Sequence, residues 1–222
     1  MNFALLTLMA LVGLSIKIMI TRLGFGWLYA AIVANLIFIS IFGAKLIAVF
    51  GFTTNVGNIF YAMVFFATYL LIEHYGKEVA QRSIWIGAFG VVLLIIASQF
   101  VISLTSESGS MAASRAIETL FGIVPRVALA SLTAYTIAQH VNIWLYVKMR
   151  ERMHGKKVFA RMTVAILIAQ LVDSVIFFLI AFAGVLPMNI LLQTLVLGYA
   201  IKVLIGILSI PFMYLSLGMR TA

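Results

Sequence analysis

One acidic side chain in the middle of a membrane-length apolar run constrains this chain more than any other feature. The stretch from Met162 to Gly184 is apolar and long enough to cross a hydrocarbon core of about 30 Å, and Asp173 falls at its centre. An ionised carboxylate at that depth costs between about 3 and about 10 kcal/mol, depending on the reference state. Such a group survives only with a partner, a water-filled cavity or a bound proton. Gln170 comes three residues earlier, so both side chains leave the same side of a helix. That side must turn into a bundle, because lipid would leave both groups unsatisfied.

The rest of the chain agrees. Its 222 residues are 64% hydrophobic and only 9% charged, with a mean hydropathy of +1.19. These values exclude a water-soluble globular domain. The fold class expected is all-α: a single integral membrane domain over residues 1–222, a polytopic transmembrane helical bundle of about seven spans. The spans are expected near 3–20, 27–50, 57–75, 83–104, 125–147, 162–184 and 189–217. Pro125 suits a first helical turn, and Pro211 should kink the last span. Met1-Asn2-Phe3 lacks a basic leader, which reads as a retained span and not a cleaved signal. With no cysteine, disulfides, thiolate catalysis and Cys-ligated metals are excluded.

The formal charge of +9 is distributed by loop. Lys17, Arg22, Lys77, Arg82, Lys148, Arg150, Arg152, Lys156, Lys157, Arg161 and Arg220 fall on one side, while Arg115 and Arg126 fall on the other. The positive-inside rule then puts the N-terminus outside and the C-terminus in the cytoplasm. The basic loops therefore report topology and a lipid bilayer as partner, not nucleic acid. The longest outer loop, 105–124, contains Met111 to Phe121, which reads as a short interfacial helix. A faint internal echo joins Gly76-Lys77-Glu78-Val79 to Gly155-Lys156-Lys157-Val158.

The polar residues at membrane depth form a short roster. Span two has Asn35. Span three has Asn58, Tyr61 and Tyr69, with Glu73 near its inner end. Span five has Arg126 at its outer end, followed by Ser131, Tyr135, Gln139, His140 and Asn142. Gln170 and Asp173 follow on span six, and Lys202 on span seven. Ser131, Tyr135, Gln139 and Asn142 step by four, four and three residues and make one stripe. Lys202 matches Asp173 in depth, so the two could neutralise each other and simply lock the bundle. A stripe of amides, hydroxyls and aromatics across several spans exceeds what a lock needs. It suits a pocket for a flat solute rich in donors and acceptors. Asn35, Asn58, Tyr61, Tyr135, Gln139, Asn142, Gln170 and Asp173 are the candidate substrate-binding residues. Lys202, Arg126 and Glu73 are candidate charge partners or coupling groups. No nucleotide-binding loop, nucleophile motif or metal-ligand spacing is present, so no enzyme activity, metal or cofactor is expected.

These residues carry a resemblance. In order, Asn35, Phe50-Gly51-Phe52-Thr53, Gly57-Asn58-Ile59-Phe60-Tyr61, Phe66-Ala67-Thr68 and Glu73-His74-Tyr75-Gly76-Lys77 match a known pattern. So do Pro125 to Ser131, Ala134-Tyr135, Gln139, Gln170-Leu171-Val172-Asp173-Ser174-Val175-Ile176-Phe177, Ile180-Ala181-Phe182, Lys202 and Pro211-Phe212-Met213-Tyr214. The whole resembles the queuosine-precursor transporters, also called the vitamin uptake transporter family, over roughly 27–217. The first span looks like an extra N-terminal helix added to a six-span core. The resemblance implies an inner-membrane importer of 7-deazaguanine bases, with Asp173 accepting from a guanine-like N–H and Gln170 and Gln139 beside it. It also shows two departures, since the family pattern carries Asp where this chain has Tyr69, and often at Asn142. A substrate without a cationic aminomethyl group, or positions that serve coupling, would each accommodate that. The alternatives are a substrate-capture subunit driven by a separate ATPase and a non-transporting membrane scaffold. A homo-oligomer stays open.

Overall fold

The structure is a computed structural model that describes residues 2–49, 52–122, 125–185 and 187–218. Met1, Phe50, Gly51 and Arg220, named above, and residues 123–124 of the outer loop lie outside those residues. Helices α1 (Asn2–Thr21) and α2 (Phe25–Phe42) lead into a two-stranded antiparallel ribbon, β1 (Leu46–Val49) with β2 (Phe52–Asn55). Helices α3 (Gly57–Tyr75), α4 (Lys77–Ser103), α5 (Met111–Phe121), α6 (Pro125–Arg152), α7 (Val158–Phe182), α8 (Met188–Leu208) and α9 (Ile210–Leu217) complete the chain.

The all-α bundle is as expected, and its axis is α3. Every residue from Gly57 to Ile72 is buried. A helix buried on all sides reads as apolar all round, and α3 does so between its polar positions. Helices α2, α4, α8 and α1 pack around it, and α6 with α7 forms the most extensive pair. Among the described residues, five helical segments are long and apolar enough to cross a membrane, counting α8 with α9 as one. A sixth is added if α5 and α6, bent by 53°, are taken together. Helix α3 has the length, about 28 Å over its 19 residues. Asn58, Tyr61, Tyr69, Glu73 and His74 dilute its apolar character.

Two local outcomes follow from backbone chemistry. Pro211 cannot donate to the carbonyl of Ile207, and the last span breaks there into α8 and α9 with Ser209 at the joint. Gly76 turns the chain between α3 and α4 at φ 92°, and Gly155 turns it between α6 and α7 at φ 73°, conformations that glycine adopts without steric cost. The two echoed segments of the sequence are therefore both left-handed turns ahead of a helix.

One expectation is corrected. The second span was expected as helix to residue 50, but α2 ends at Phe42. Residues 46–49 instead pair with 52–55, Leu46 opposite Asn55 and Ile47 opposite Thr54. Ile47, Val49, Thr53 and Thr54 are β-branched and favour the pleated strand, so apolar character alone did not settle the type. The short helix expected over 111–121 forms over those residues. It packs against α4, with Gln99 Nε2 donating to the Phe121 carbonyl at 3.0 Å.

Candidate functional site

Three helices converge on Asp173. The Tyr61 hydroxyl, from α3, donates to Asp173 Oδ1. The Lys202 ammonium, from α8, donates to Oδ2 at 2.6 Å and lies 4.9 Å from the centre of the Tyr61 ring. Asp173 is only 4% exposed. The charge match expected between Asp173 and Lys202 is thus formed, with a phenol added that the sequence reading had placed in the lining. An ion pair drawn out of water returns little net stability, because desolvation offsets most of the attraction. A bundle needing only cohesion could have used apolar packing here.

Next to this tie, several buried polar atoms have no partner among the described residues. Gln170 is fully buried, and neither its amide nitrogen nor its amide oxygen meets a partner; the same holds for the Ser174 hydroxyl and the Gln139 amide nitrogen. Each such group costs about 1–3 kcal/mol if nothing satisfies it. Native interiors rarely tolerate several together. On α6, Asn142 Nδ2 donates to Gln139 Oε1 at 3.3 Å, and Asn142 Oδ1 accepts from the Tyr69 hydroxyl at 2.7 Å. Tyr69 and Asn142, the two positions where the resemblance led us to expect carboxylates, therefore bind one another. A phenol and an amide form a neutral pair where two carboxylates would have to share a proton or repel.

A second tie closes the other end. Arg161 Nη2 donates to Glu73 Oε2 at 3.0 Å, and Arg150 Nε lies 3.4 Å from Glu73 Oε1. Arg161 is 1% exposed, and its guanidinium stands 5.2 Å from the Tyr146 ring centre. Tyr61 to Glu73 on α3 and Asp173 back to Arg161 on α7 each cover twelve residues, a rise of about 18 Å. The two helices run antiparallel, and both pack more closely on α8 than on each other. Long side chains bridge them at both ends. Between the ties α7 carries Ala165 and Ala169, both small and buried.

The other candidates are not gathered at Asp173. Asn35 donates to the Ala31 carbonyl of its own helix at 2.5 Å and lines a cavity with residues of α1. Asn58 is spent locally: its backbone N–H meets Asn55 Oδ1, and its side chain donates to Thr54 Oγ1, both at 3.0 Å. That arrangement joins the strand ribbon to the first turn of α3. The Tyr135 hydroxyl lies over Gly87 of α4, where a Cβ would approach it to 2.4 Å. Ser131, on the same stripe, is exposed. Arg126 is no partner of Asp173. It donates to the Ile180 and Ala183 carbonyls at 2.5 and 2.6 Å, capping the C-terminal end of α7 with the charge sign its dipole favours. Glu73 is a charge partner of Arg161 and not of the midplane pair. Arg161, expected from the sequence as a loop cation, is buried in this tie. The signal that could have revealed it is the equal twelve-residue spacing of opposite charges and polar partners on α3 and α7.

A family described as "Putative vitamin uptake transporter" matches residues 55–216, a stretch containing every element of both ties. The "Probable queuosine precursor transporter" of Bacillus subtilis (strain 168) is 32% identical over 192 residues, covering 86% of this chain and 81% of that protein. The "Queuosine precursor transporter" of Escherichia coli (strain K12) is 26% identical over 171 residues, covering 76% and 74%. No solved structure matches the chain. With a multi-pass bundle, a polar interior and a family match over most of its length, this chain belongs to the vitamin uptake transporter family.

Proposed function

We propose that the chain imports queuosine precursors across the inner membrane. The cargo would be 7-deazaguanine bases such as 7-cyano-7-deazaguanine, 7-aminomethyl-7-deazaguanine or queuine. The observation that carries this reading is the set of unpartnered buried groups on Gln139, Gln170 and Ser174 beside the Asp173 tie. A guanine-like base presents N–H and C=O groups along flat edges. A carboxamide answers both at once, with two donors and one acceptor oxygen. Asp173 still has acceptor capacity, since a carboxylate offers about four lone-pair sites and Tyr61 and Lys202 take one each. The names of the two relatives support the same substrate class.

In this reading the two ties are closures above and below the amides. A base that takes up Asp173 weakens the hold of Tyr61 and Lys202, which gives it the differential contact a conformational change requires. The Glu73–Arg161 tie then closes the cytoplasmic side, with the N-terminus outside and the C-terminus inside. Cells unable to make their own precursor provide the test. Queuosine in their tRNA should appear with the wild-type chain and externally supplied base, and should fall at least about tenfold with Gln170→Leu at equal membrane levels, as expected for losing hydrogen bonds made to a buried guest. Undiminished queuosine in that variant contradicts the reading.

A further inference from the structure

Away from the ties, a cavity of about 340 Å³ opens between α1, α2 and the outer part of α3. Its walls include Met9, Gly13, Lys17, Asn35, Phe60 and Met63. Most of the lining is apolar. The exceptions are Asn35 and the charged Lys17. Lys17 is 4% exposed, and no acceptor among the described residues lies within hydrogen-bonding or ion-pairing distance of its ammonium. A long cationic side chain normally snorkels to water; this one is held against the slot instead. Nothing in the proposed transport cycle uses it, and the family match begins only at residue 55, beyond both α1 and α2.

The slot runs along α1 from Met9 to Lys17, about 12 Å by helical rise. Lys17 lies one turn from the Thr21 end of α1. That end is joined to α3 by the Tyr75 hydroxyl, which donates to the Thr21 carbonyl. It is joined to α4 through α2, where Tyr29 Oη donates to the Val79 carbonyl at 2.8 Å. Arg22, Lys77 and Arg82 belong to the same end. A narrow apolar channel, a buried cation at its mouth and further positive charge around it match one class of ligand. An acyl chain fills the channel without needing a donor, and a phosphate satisfies the ammonium. We infer that this slot holds one anionic phospholipid, with an acyl chain lying along α1 and the phosphate at Lys17. Asn35 gives one hydrogen of its amide nitrogen to the Ala31 carbonyl and keeps the other for an ester carbonyl of the lipid.

Selectivity must come from the headgroup, because an acyl chain is in hydrocarbon whether or not it enters the slot. Native mass spectrometry of the full chain in detergent decides the matter, with dioleoyl-phosphatidylglycerol and dioleoyl-phosphatidylcholine as probes. The expected result is a single adduct that favours phosphatidylglycerol by about tenfold, the factor a charge-assisted hydrogen bond supplies. Lys17→Met should abolish that preference while leaving the chain folded, since it removes a buried charge and keeps the length. Ala34→Phe, which fills the slot from α2, should remove the adduct with Lys17 intact. Equal binding of both lipids, a preference that persists in Lys17→Met, or full competition by glycerol phosphate alone overturns the assignment. So does a lipid-free dimer, which would mean that a second copy covers the slot.

Discussion

At the scale of single residues, the tie and the amides beside it should respond oppositely to substitution. Lys202→Met leaves a buried carboxylate with only Tyr61, and removal of one member of such a pair costs about 3–5 kcal/mol. A double change, Lys202→Met with Asp173→Asn, removes both charges. It should recover most of that stability in thermal unfolding of purified protein, while import stays lost. Recovery of import in the double variant would show that the pair only locks the bundle. Gln170→Leu should behave differently, raising or preserving thermal stability by removing two unpartnered buried groups while lowering import. A variant that unfolds earlier would mean that Gln170 already has partners in the working protein. Much of this cluster was legible in the sequence, because an acid and an amide in a greasy run have few places to go. Lys202 stood at matching depth and meets Asp173; Tyr61, expected only as lining, meets it too. Asn35 and Asn58 do not meet Asp173, because helical spacing says which residues share a face, not which neighbour that face meets. The amide nitrogen of each donates to a group four residues earlier.

At the scale of elements, the tie between α3 and α7 at Glu73 and Arg161 is the part that should move. Glu73→Gln removes one charge of the closure and leaves the helices otherwise unchanged. The absence of native cysteine makes a reporter simple. A single Ala169→Cys, buried about one turn from Asp173, should react slowly with a membrane-impermeant maleimide added from the cytoplasmic side. The rate should rise several-fold when Glu73→Gln is added. An unchanged rate would mean that this tie does not govern access. Arg126→Ala should act elsewhere, losing two bonds to the end of α7 and about 1–2 kcal/mol of stability, with little change in apparent substrate affinity. Helix identity and order were readable from apolar runs and turn residues. The pairing of 46–49 with 52–55 was not, since a short apolar run does not by itself distinguish a strand from a helix. Arg161 was hidden for a related reason: cations near span ends count first toward orientation, and burial is decided only once α3 is seen at the axis.

At the scale of the whole molecule, the fold places one polar column inside an apolar shell. Tyr61, Tyr69 and Glu73 descend α3, each answered by a different neighbour: Asp173, Asn142 and Arg161. The exposed perimeter is left to Leu, Ile, Val, Phe and Trp side chains such as Leu8, Trp85, Phe89, Phe100 and Leu204, as a lipid-facing surface requires. Orientation can be read from a fluorescent-protein fusion at the C-terminus, which should be bright if that end is cytoplasmic as the loop charges require; a dark, exported fusion would invert the scheme. The central claim, a base carried past the buried amides by this chain alone, has a direct measurement. Purified protein in liposomes should accumulate labelled 7-cyano-7-deazaguanine when an ion gradient is imposed, and Gln170→Leu and Asp173→Asn should each abolish the accumulation. Liposomes that stay empty with the wild-type chain, or that fill equally with either variant, would contradict it.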